Sequence, residues 1–122
     1  AEVQRAAAGS APGTTRGVVV DALRFIERNC LQPLTLKDVA KAVRRSPAYV
    51  TTALKQSTGR SAVQWIVSGR MAEARRLLLH SDERVDVVAE RVGYADATHF
   101  IRMFRREHGM TPATWRTLQN RG

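Results

Sequence analysis

Most of the side chains in this protein that could take part in binding or catalysis are positively charged. Its 122 residues include 20 Lys and Arg against 11 Asp and Glu, which gives a formal net charge of +9 and a pI near 11.2. Residues 35–82 carry nine positive and three negative charges, whereas residues 83–122 carry seven and five. Such an excess favours a polyanionic partner, either a nucleic acid or an anionic membrane surface.

The other reactive residue types do not form a catalytic or metal-binding pattern. His80, His99 and His108 are scattered along the chain and Cys30 is its one thiol, whereas a zinc site needs clustered ligands. The sequence contains neither a nucleophile motif nor a glycine-rich phosphate loop. We therefore predict no enzymatic activity, no cofactor and no metal, and we interpret Cys30 as a small buried hydrophobe.

The elements that must position the cations occur twice, about fifty residues apart. Segment 46–61 matches segment 96–111, and each copy follows a short segment with apolar residues at helical spacing, over 36–43 and 85–92. The matched pairs fill the same roles in both copies. They are the helix caps Ser46/Asp96 and Ser61/Thr111, the buried positions Val50/Phe100 and Leu54/Phe104, the cations Lys55/Arg105, the helix stops Gly59/Gly109 and the tryptophans Trp65/Trp115. A short helix, a tight turn and a second capped helix form a helix-turn-helix, so the repeat predicts two such units in a protein that binds DNA.

The complete pattern predicts an all-α fold of seven helices, with two helix-turn-helix units joined by a long central helix. We expect the tandem domain over residues 17–122, with the first unit at about 35–60, the linking helix at about 62–80 and the second unit at about 84–109. Residues 6–15 are small, polar and without apolar periodicity. We expect residues 1–16 to form a flexible linker or tail, which is a tether to an upstream domain, a tag or an ordinary frayed terminus.

The predicted linking helix has a length that suits duplex DNA. About 19 residues at 1.5 Å each make a rod of roughly 28 Å. Successive major-groove segments on one side of B-DNA lie about 34 Å apart. A rigid helix of this size could therefore present two recognition helices to one side of a duplex.

Large apolar residues at helical spacing are interpreted as core rather than as a surface for base stacking. On the linking helix, we expect Arg70 to reach a neighbouring carboxylate and Arg75 and Arg76 to be solvated. The predicted core residues are Leu54, Trp65, Leu77, Leu78, Leu79, Phe100, Phe104 and Trp115.

Four segments resemble the DNA-binding domain of the AraC/XylS family of bacterial transcription regulators. They are 70–79 (RMAEARRLLL), 88–94 (VAERVGY), 99–106 (HFIRMFRR) and 109–116 (GMTPATWR), and the resemblance extends over about residues 18–118. The resemblance implies sequence-specific binding of double-stranded DNA, with helices 3 and 6 in adjacent segments of the major groove. It also implies an upstream sensor or dimerisation domain in the full-length protein, a role that nothing in this chain could fill.

By position, the resemblance implies base-facing roles for seven residues of helices 3 and 6: Ala48, Thr51, Thr52, Thr98, His99, Ile101 and Arg102. Their chemistry fits this role, because Arg102 can donate two hydrogen bonds to guanine O6 and N7. Threonine hydroxyls can bond to base edges, and threonine or isoleucine methyls can contact the thymine methyl. Neighbouring cations are expected to contact phosphates, which position the protein without reading base sequence. These cations are Arg44, Arg45, Lys55, Arg105 and Arg106.

The first unit departs from the family pattern at its turn and in its recognition helix. Thr52 stands where arginine or another long polar residue is common, and Arg44 and Arg45 replace a glycine and an apolar residue. Arg44 would then have to adopt a turn conformation that glycine adopts freely. We therefore expect the first motif to contribute more to affinity than to sequence discrimination.

Two other functions remain open at this point. A basic helical chain could bind a protein, such as a subunit of RNA polymerase, or it could bind an anionic membrane surface. Neither alternative explains why two capped helices repeat with matched core and basic positions. One cysteine and no apolar run long enough to span a membrane predict a cytoplasmic protein. The family resemblance implies a bacterial protein that is associated with the nucleoid through DNA.

Overall fold

The computed structural model describes residues 14–121, so most of the predicted linker, residues 1–13, lies outside the described residues. The described part contains seven α-helices and no strand, which confirms the predicted all-α fold. The helices are α1 (Thr15–Asn29), α2 (Leu36–Val43), α3 (Pro47–Thr58), α4 (Ala62–His80), α5 (Val85–Arg91), α6 (Ala97–His108) and α7 (Pro112–Arg121).

Helix α1 begins two residues earlier than the sequence predicted. The N–H of Gly17 donates a hydrogen bond to the hydroxyl of Thr14 at 2.9 Å, which satisfies one of the free N–H groups of the first turn. Thr15 and Arg16 are therefore helical, and assigning them to the linker was wrong.

The chain divides into two compact units, each with one helix-turn-helix. The first unit comprises residues 14–29 and 34–66 of the described chain, and the second comprises residues 30–33 and 67–121. Helix α4 begins in the first unit and continues into the second. In the first unit, α1, α2 and α3 pack against one another. Its buried apolar side chains include Ala22, Ile26, Val39, Val50 and Leu54.

The second unit is built around two phenylalanines of α6. Phe100 and Phe104 are fully buried, and their ring centroids lie 5.8 Å apart. The edge of the Trp115 ring meets Phe104 at 5.9 Å, so α7 packs against the same cluster. The later turns of α4 contribute Met71 and Leu78, and α5 contributes further buried aliphatic residues. The predicted core positions on α6 are thus confirmed.

Leu79 is a predicted core residue that the structure places at the surface. Its exposed fraction is 41%, whereas Leu77 and Leu78 are buried. Three successive helical residues point in directions about 100° apart, so a run of three leucines cannot all face one core. The assignment of Leu79 to the core was therefore wrong.

The three arginines of α4 have partners that the sequence did not reveal. Arg70 donates from Nε to the main-chain carbonyl of Cys30 at 2.6 Å, so the predicted carboxylate partner was wrong. Arg76 donates two hydrogen bonds to Glu73, which lower the pKa of that carboxyl. Arg75 lies 2.9 Å from His108 Nε2. Both Arg75 and Arg76 are thus held by neighbours rather than only solvated.

The helices that precede the two turns end with the same hydrogen-bond pattern. Arg44 and Gly93 each donate an N–H to the carbonyl three residues back, at 3.2 and 3.1 Å. The following residues, Arg45 and Tyr94, each donate to the carbonyl five residues back, at 3.0 Å. This pattern requires a left-handed residue after the helix, usually glycine. Arg44 has φ 60 and ψ 42, and it is the one non-glycine residue with positive φ among residues 14–121.

We expect Arg44→Gly to stabilise the first unit by about 0.5–1 kcal/mol. The left-handed conformation costs a residue with a Cβ about 1–2 kcal/mol, and the greater freedom of glycine in the unfolded chain offsets about 0.5–1 kcal/mol of this gain. Urea unfolding monitored by circular dichroism measures the difference. Arg44→Asn is the matched control, because asparagine tolerates the left-handed region and also removes the charge. A loss of stability in Arg44→Gly would contradict the strain at this turn.

Candidate nucleic-acid interface

The two recognition helices begin with equivalent side-chain caps. The Ser46 hydroxyl accepts a hydrogen bond from the N–H of Tyr49 at 3.1 Å, and the Asp96 carboxylate accepts one from the N–H of His99 at 2.8 Å. Both helices end at a glycine with φ 77. The sequence repeat therefore corresponds to a repeat of local geometry, and α3 and α6 present matching positions.

Helix α3 exposes the three residues that were predicted to face bases. Ala48, Thr51 and Thr52 are exposed, and their spacing of three and four residues places them on one face. Val50, Ala53 and Leu54 are buried in the first unit. These three residues carry two hydroxyls and several methyl groups but no long hydrogen-bonding side chain.

Helix α6 exposes a longer and more polar surface. Thr98, His99 and Arg102 are exposed, whereas Ile101 is half-buried and packs against the core of the second unit. Ile101 therefore offers less of its side chain to a partner than its three neighbours do. The His99 ring also contacts the Tyr94 ring edge-on, with centroids 5.0 Å apart.

The guanidinium of Arg102 is available for a partner. Within the described residues it makes no hydrogen bond or ion pair, and the side chain is exposed. A planar guanidinium with five N–H donors suits a pair of acceptors such as guanine O6 and N7. Its place one turn after Thr98 means that both side chains project from the same face of α6.

The cations that were predicted to contact phosphates lie beside these faces. Lys55 and Arg105 are exposed at equivalent positions in the last turns of α3 and α6, and Arg106 follows Arg105. Arg44 is exposed at the first turn, and Arg45 is half-buried with its guanidinium carbon 5.6 Å from the Tyr49 ring centroid. Arg45 also donates from Nη1 to the main-chain carbonyl of Arg44 at 3.1 Å.

Arg60 is a further cation beside α3 that the sequence interpretation missed. It follows the glycine that ends α3, and its guanidinium carbon lies 4.8 Å from the centroid of the Trp65 ring. A signal for it was present in the sequence, because the matching position of the second copy is Met110. Because the second copy folds without a cation at this position, the cation indicates a function other than stabilising the fold.

Tyr94 and Arg70 support the turn that precedes α6. Tyr94 is 5% exposed, and burial raises the pKa of its hydroxyl. The Arg70 guanidinium lies 4.9 Å from the Tyr94 ring and donates from Nη2 to the carbonyl of Gln32 at 3.0 Å. A Cβ at Gly93 would approach the carbonyl oxygen of Leu31 to 2.7 Å, so this turn admits only glycine. The start of α6 is thus held rigidly within the second unit.

Residues 14–121 contain no group of three or more His, Cys, Asp or Glu side chains placed to hold a metal ion. No helix in that range is long and apolar enough to cross a membrane.

Comparison with known proteins agrees with this geometry. A family model described as a helix-turn-helix domain matches residues 39–118. The regulatory protein PocR of Salmonella typhimurium is 34% identical over 99 residues, which is 81% of this chain and 33% of PocR. The chain spans less than half of the length of the curated relatives that it matches.

Solved structures show the same fold. The DNA-binding domain of AdpA, determined in complex with a target DNA, has a TM-score of 0.71 and 29% identity, with 85% of this chain and 90% of that chain covered. A probable AraC family transcriptional regulator from Rhodopseudomonas palustris has a TM-score of 0.73 and 26% identity, with 84% and 95% covered. Taken with the family match and the two equivalent recognition helices, these similarities establish that the chain belongs to the AraC/XylS family of helix-turn-helix transcription regulators.

Proposed function

We propose that this domain binds double-stranded DNA sequence-specifically as part of a bacterial transcription regulator, with α3 and α6 in adjacent segments of the major groove. The observation that carries the proposal is the pair of equivalent capped helices, each with an exposed face beside cationic side chains. AdpA, which has the same fold, was solved with its target DNA. Helix α4 follows the first motif and precedes the second along the chain.

The base-facing residues have different proposed roles. Arg102 donates to a guanine, and Thr98 and His99 contact neighbouring base edges. Thr51 and Thr52 contact base edges or thymine methyl groups, and Ala48 allows close approach. Ile101 contributes only the part of its side chain that the core leaves exposed. We propose that Arg44, Arg45, Lys55, Arg105 and Arg106 contact phosphates.

Duplex DNA is the proposed primary partner of the domain. Since the chain spans less than half of its curated relatives, we also propose an upstream sensor or dimerisation domain in the full-length protein. RNA polymerase is a proposed partner of that protein. We place the protein in the bacterial cytoplasm, and we propose neither a catalytic activity nor a cofactor.

The test is selection of bound sequences from a random duplex library. We expect a motif with two parts about one helical turn apart, roughly 10–10.5 base pairs. Vesicles of anionic lipid serve as the second arm, because they offer the same negative charge without base edges. Enrichment of no motif, or tighter binding to vesicles than to any duplex, would exclude sequence-specific recognition.

Binding to the selected duplex should depend steeply on salt. Each phosphate contact releases counterions and contributes about −0.9 to the slope of log affinity against log salt concentration. Five phosphate contacts therefore predict a slope of about −4 to −5. Fluorescence anisotropy at several salt concentrations measures the slope. A value near zero would show that the cations do not contact the phosphate backbone.

A further inference from the structure

Two arginines of the first unit lie over aromatic rings at opposite ends of α3. The guanidinium carbon of Arg45 is 5.6 Å from the Tyr49 ring centroid, and that of Arg60 is 4.8 Å from the Trp65 ring centroid. Arg45 immediately precedes the residue that caps α3, and Arg60 immediately follows the glycine that ends it. We refer to Arg45 and Arg60 as the ring-supported arginines.

The second unit has no cation at either matching position. By the hydrogen bonds of the turn, Tyr94 corresponds to Arg45, and it is buried in the core with its ring against His99. The residue immediately before the cap Asp96 is Ala95, which is also uncharged. Met110 corresponds to Arg60 and is half-buried. The helix-turn-helix therefore folds with apolar residues at both positions. The arginines of the first unit add charge that the fold does not require.

Both supporting rings are themselves held in place. The Tyr49 hydroxyl lies 3.0 Å from the Thr15 hydroxyl, and Trp65 Nε1 donates to the Thr58 hydroxyl at 3.0 Å. A guanidinium held over a fixed ring loses less conformational freedom on binding than a free side chain does. One nitrogen of each guanidinium also donates to a main-chain carbonyl, Arg45 to that of Arg44 at 3.1 Å and Arg60 to that of Gln64 at 3.4 Å. A guanidinium carries five N–H donors in one plane, so it can bond a phosphate as well as a main-chain carbonyl.

We propose that Arg45 and Arg60 contact phosphates of opposite DNA strands, on the two sides of the groove that α3 occupies. This inference rests on the proposed function. Helix α3 has 12 residues and is about 18 Å long at 1.5 Å per residue. The major groove is about 12 Å wide. If the helix lies across the groove, the residues just beyond its two ends are therefore beside the phosphate backbones of the two DNA strands.

Contacts from the ring-supported arginines would hold α3 in the groove although its base-facing side chains are short. Ala48, Thr51 and Thr52 provide few hydrogen bonds, so this helix needs contacts that hold it in the groove independently of base sequence. Arg60 is then a phosphate-contact residue, and Tyr49 and Trp65 are positioning residues that act through the two arginines.

The first experiment measures the salt dependence of full-chain binding to the selected duplex. We compare the parent with Arg45→Gln, Arg60→Met and the double variant. Each single substitution should reduce the magnitude of the slope by about 0.9, and the double variant by about 1.8. For each contact removed, the ratio of the affinity at 50 mM salt to the affinity at 200 mM salt should become about 3- to 4-fold smaller. Arg24→Gln is the matched control, because Arg24 is an exposed arginine of the same unit that lines a groove between α1 and α2.

The second experiment tests the support by the rings. Tyr49→Leu should weaken binding by about 2- to 5-fold, and it should have little further effect when Arg45→Gln is already present. Tyr49→Phe keeps the ring but loses the hydroxyl contact with Thr15, so it should weaken binding less than Tyr49→Leu does. Thermal unfolding shows whether each variant is folded at the temperature of the assay. Equal effects of Tyr49→Leu with and without Arg45 would overturn the positioning role.

The outcomes separate this inference from the proposed function. A parent chain that selects no duplex motif defeats the proposed function itself. If the parent selects a motif and Arg102→Ala weakens binding, the proposed function stands. In that case, slopes for Arg45→Gln and Arg60→Met equal to that of Arg24→Gln would overturn the phosphate contacts of the ring-supported arginines alone.

Discussion

Ala72→Pro is expected to lower affinity for a full two-part duplex site by about 100-fold or more, while binding to the half-site of the first unit changes little. Two linked modules bind up to 10²–10⁴-fold more tightly than one module alone, if their geometry allows both to engage. Proline removes a helix hydrogen bond and clashes with the preceding turn, which kinks the helix. Ala72 is exposed whereas Ala74 is fully buried, so position 72 bends α4 without replacing a core residue.

Anisotropy titrations with full-site and half-site duplexes provide the measurement for Ala72→Pro. Ala72→Gly is the control, because it weakens the helix by about 1 kcal/mol without a kink. Circular dichroism verifies that each variant remains helical. A folded Ala72→Pro protein that binds the full site as tightly as the parent would show that α4 does not set the spacing.

The same spacing can be tested from the DNA side without changing the protein. Inserting about five base pairs between the two parts of the site rotates one part by roughly half a turn. The parent should then lose affinity as Ala72→Pro does on the original site. Equal binding to the original and lengthened duplexes would contradict a rigid two-part arrangement even if Ala72→Pro failed to fold.

Arg102→Ala is expected to cost roughly 1–3 kcal/mol of binding free energy on the selected site and to relax the preference at one base pair. The guanidinium has no partner among the described residues, so its removal should leave the second unit intact. Thr52→Ala should cost less, because a threonine forms at most one hydrogen bond to a base edge there.

Titration of a panel of duplexes, each substituted at one base pair, measures both quantities for Arg102→Ala. Arg102→Lys is the control that keeps the charge but loses the two-point hydrogen bonding to guanine. It should therefore resemble Arg102→Ala in base preference and the parent in salt dependence. A larger loss for Thr52→Ala than for Arg102→Ala would reverse the proposed ranking of the two recognition helices.

The sequence by itself determined the local features of the fold. The caps at Ser46 and Asp96 and the helix ends at Gly59 and Gly109 were predictable, because each depends on residues within one helical turn. The left-handed turn at Arg44 was expected from the family resemblance, because Arg44 stands where the family has a glycine. The number and order of the helices follow from these signals together with apolar spacing.

The tertiary structure decided which neighbours each side chain meets, because those contacts join residues far apart in the sequence or depend on the exact direction of a helix face. Periodicity could not exclude Leu79 from the core, nor show that Arg70 bonds to main-chain carbonyls 38 and 40 residues away. It could not place Ile101 partly in the core. The sequence also could not show that Arg45 and Arg60 lie over aromatic rings, because the geometry of the helix and its turns sets where these side chains point.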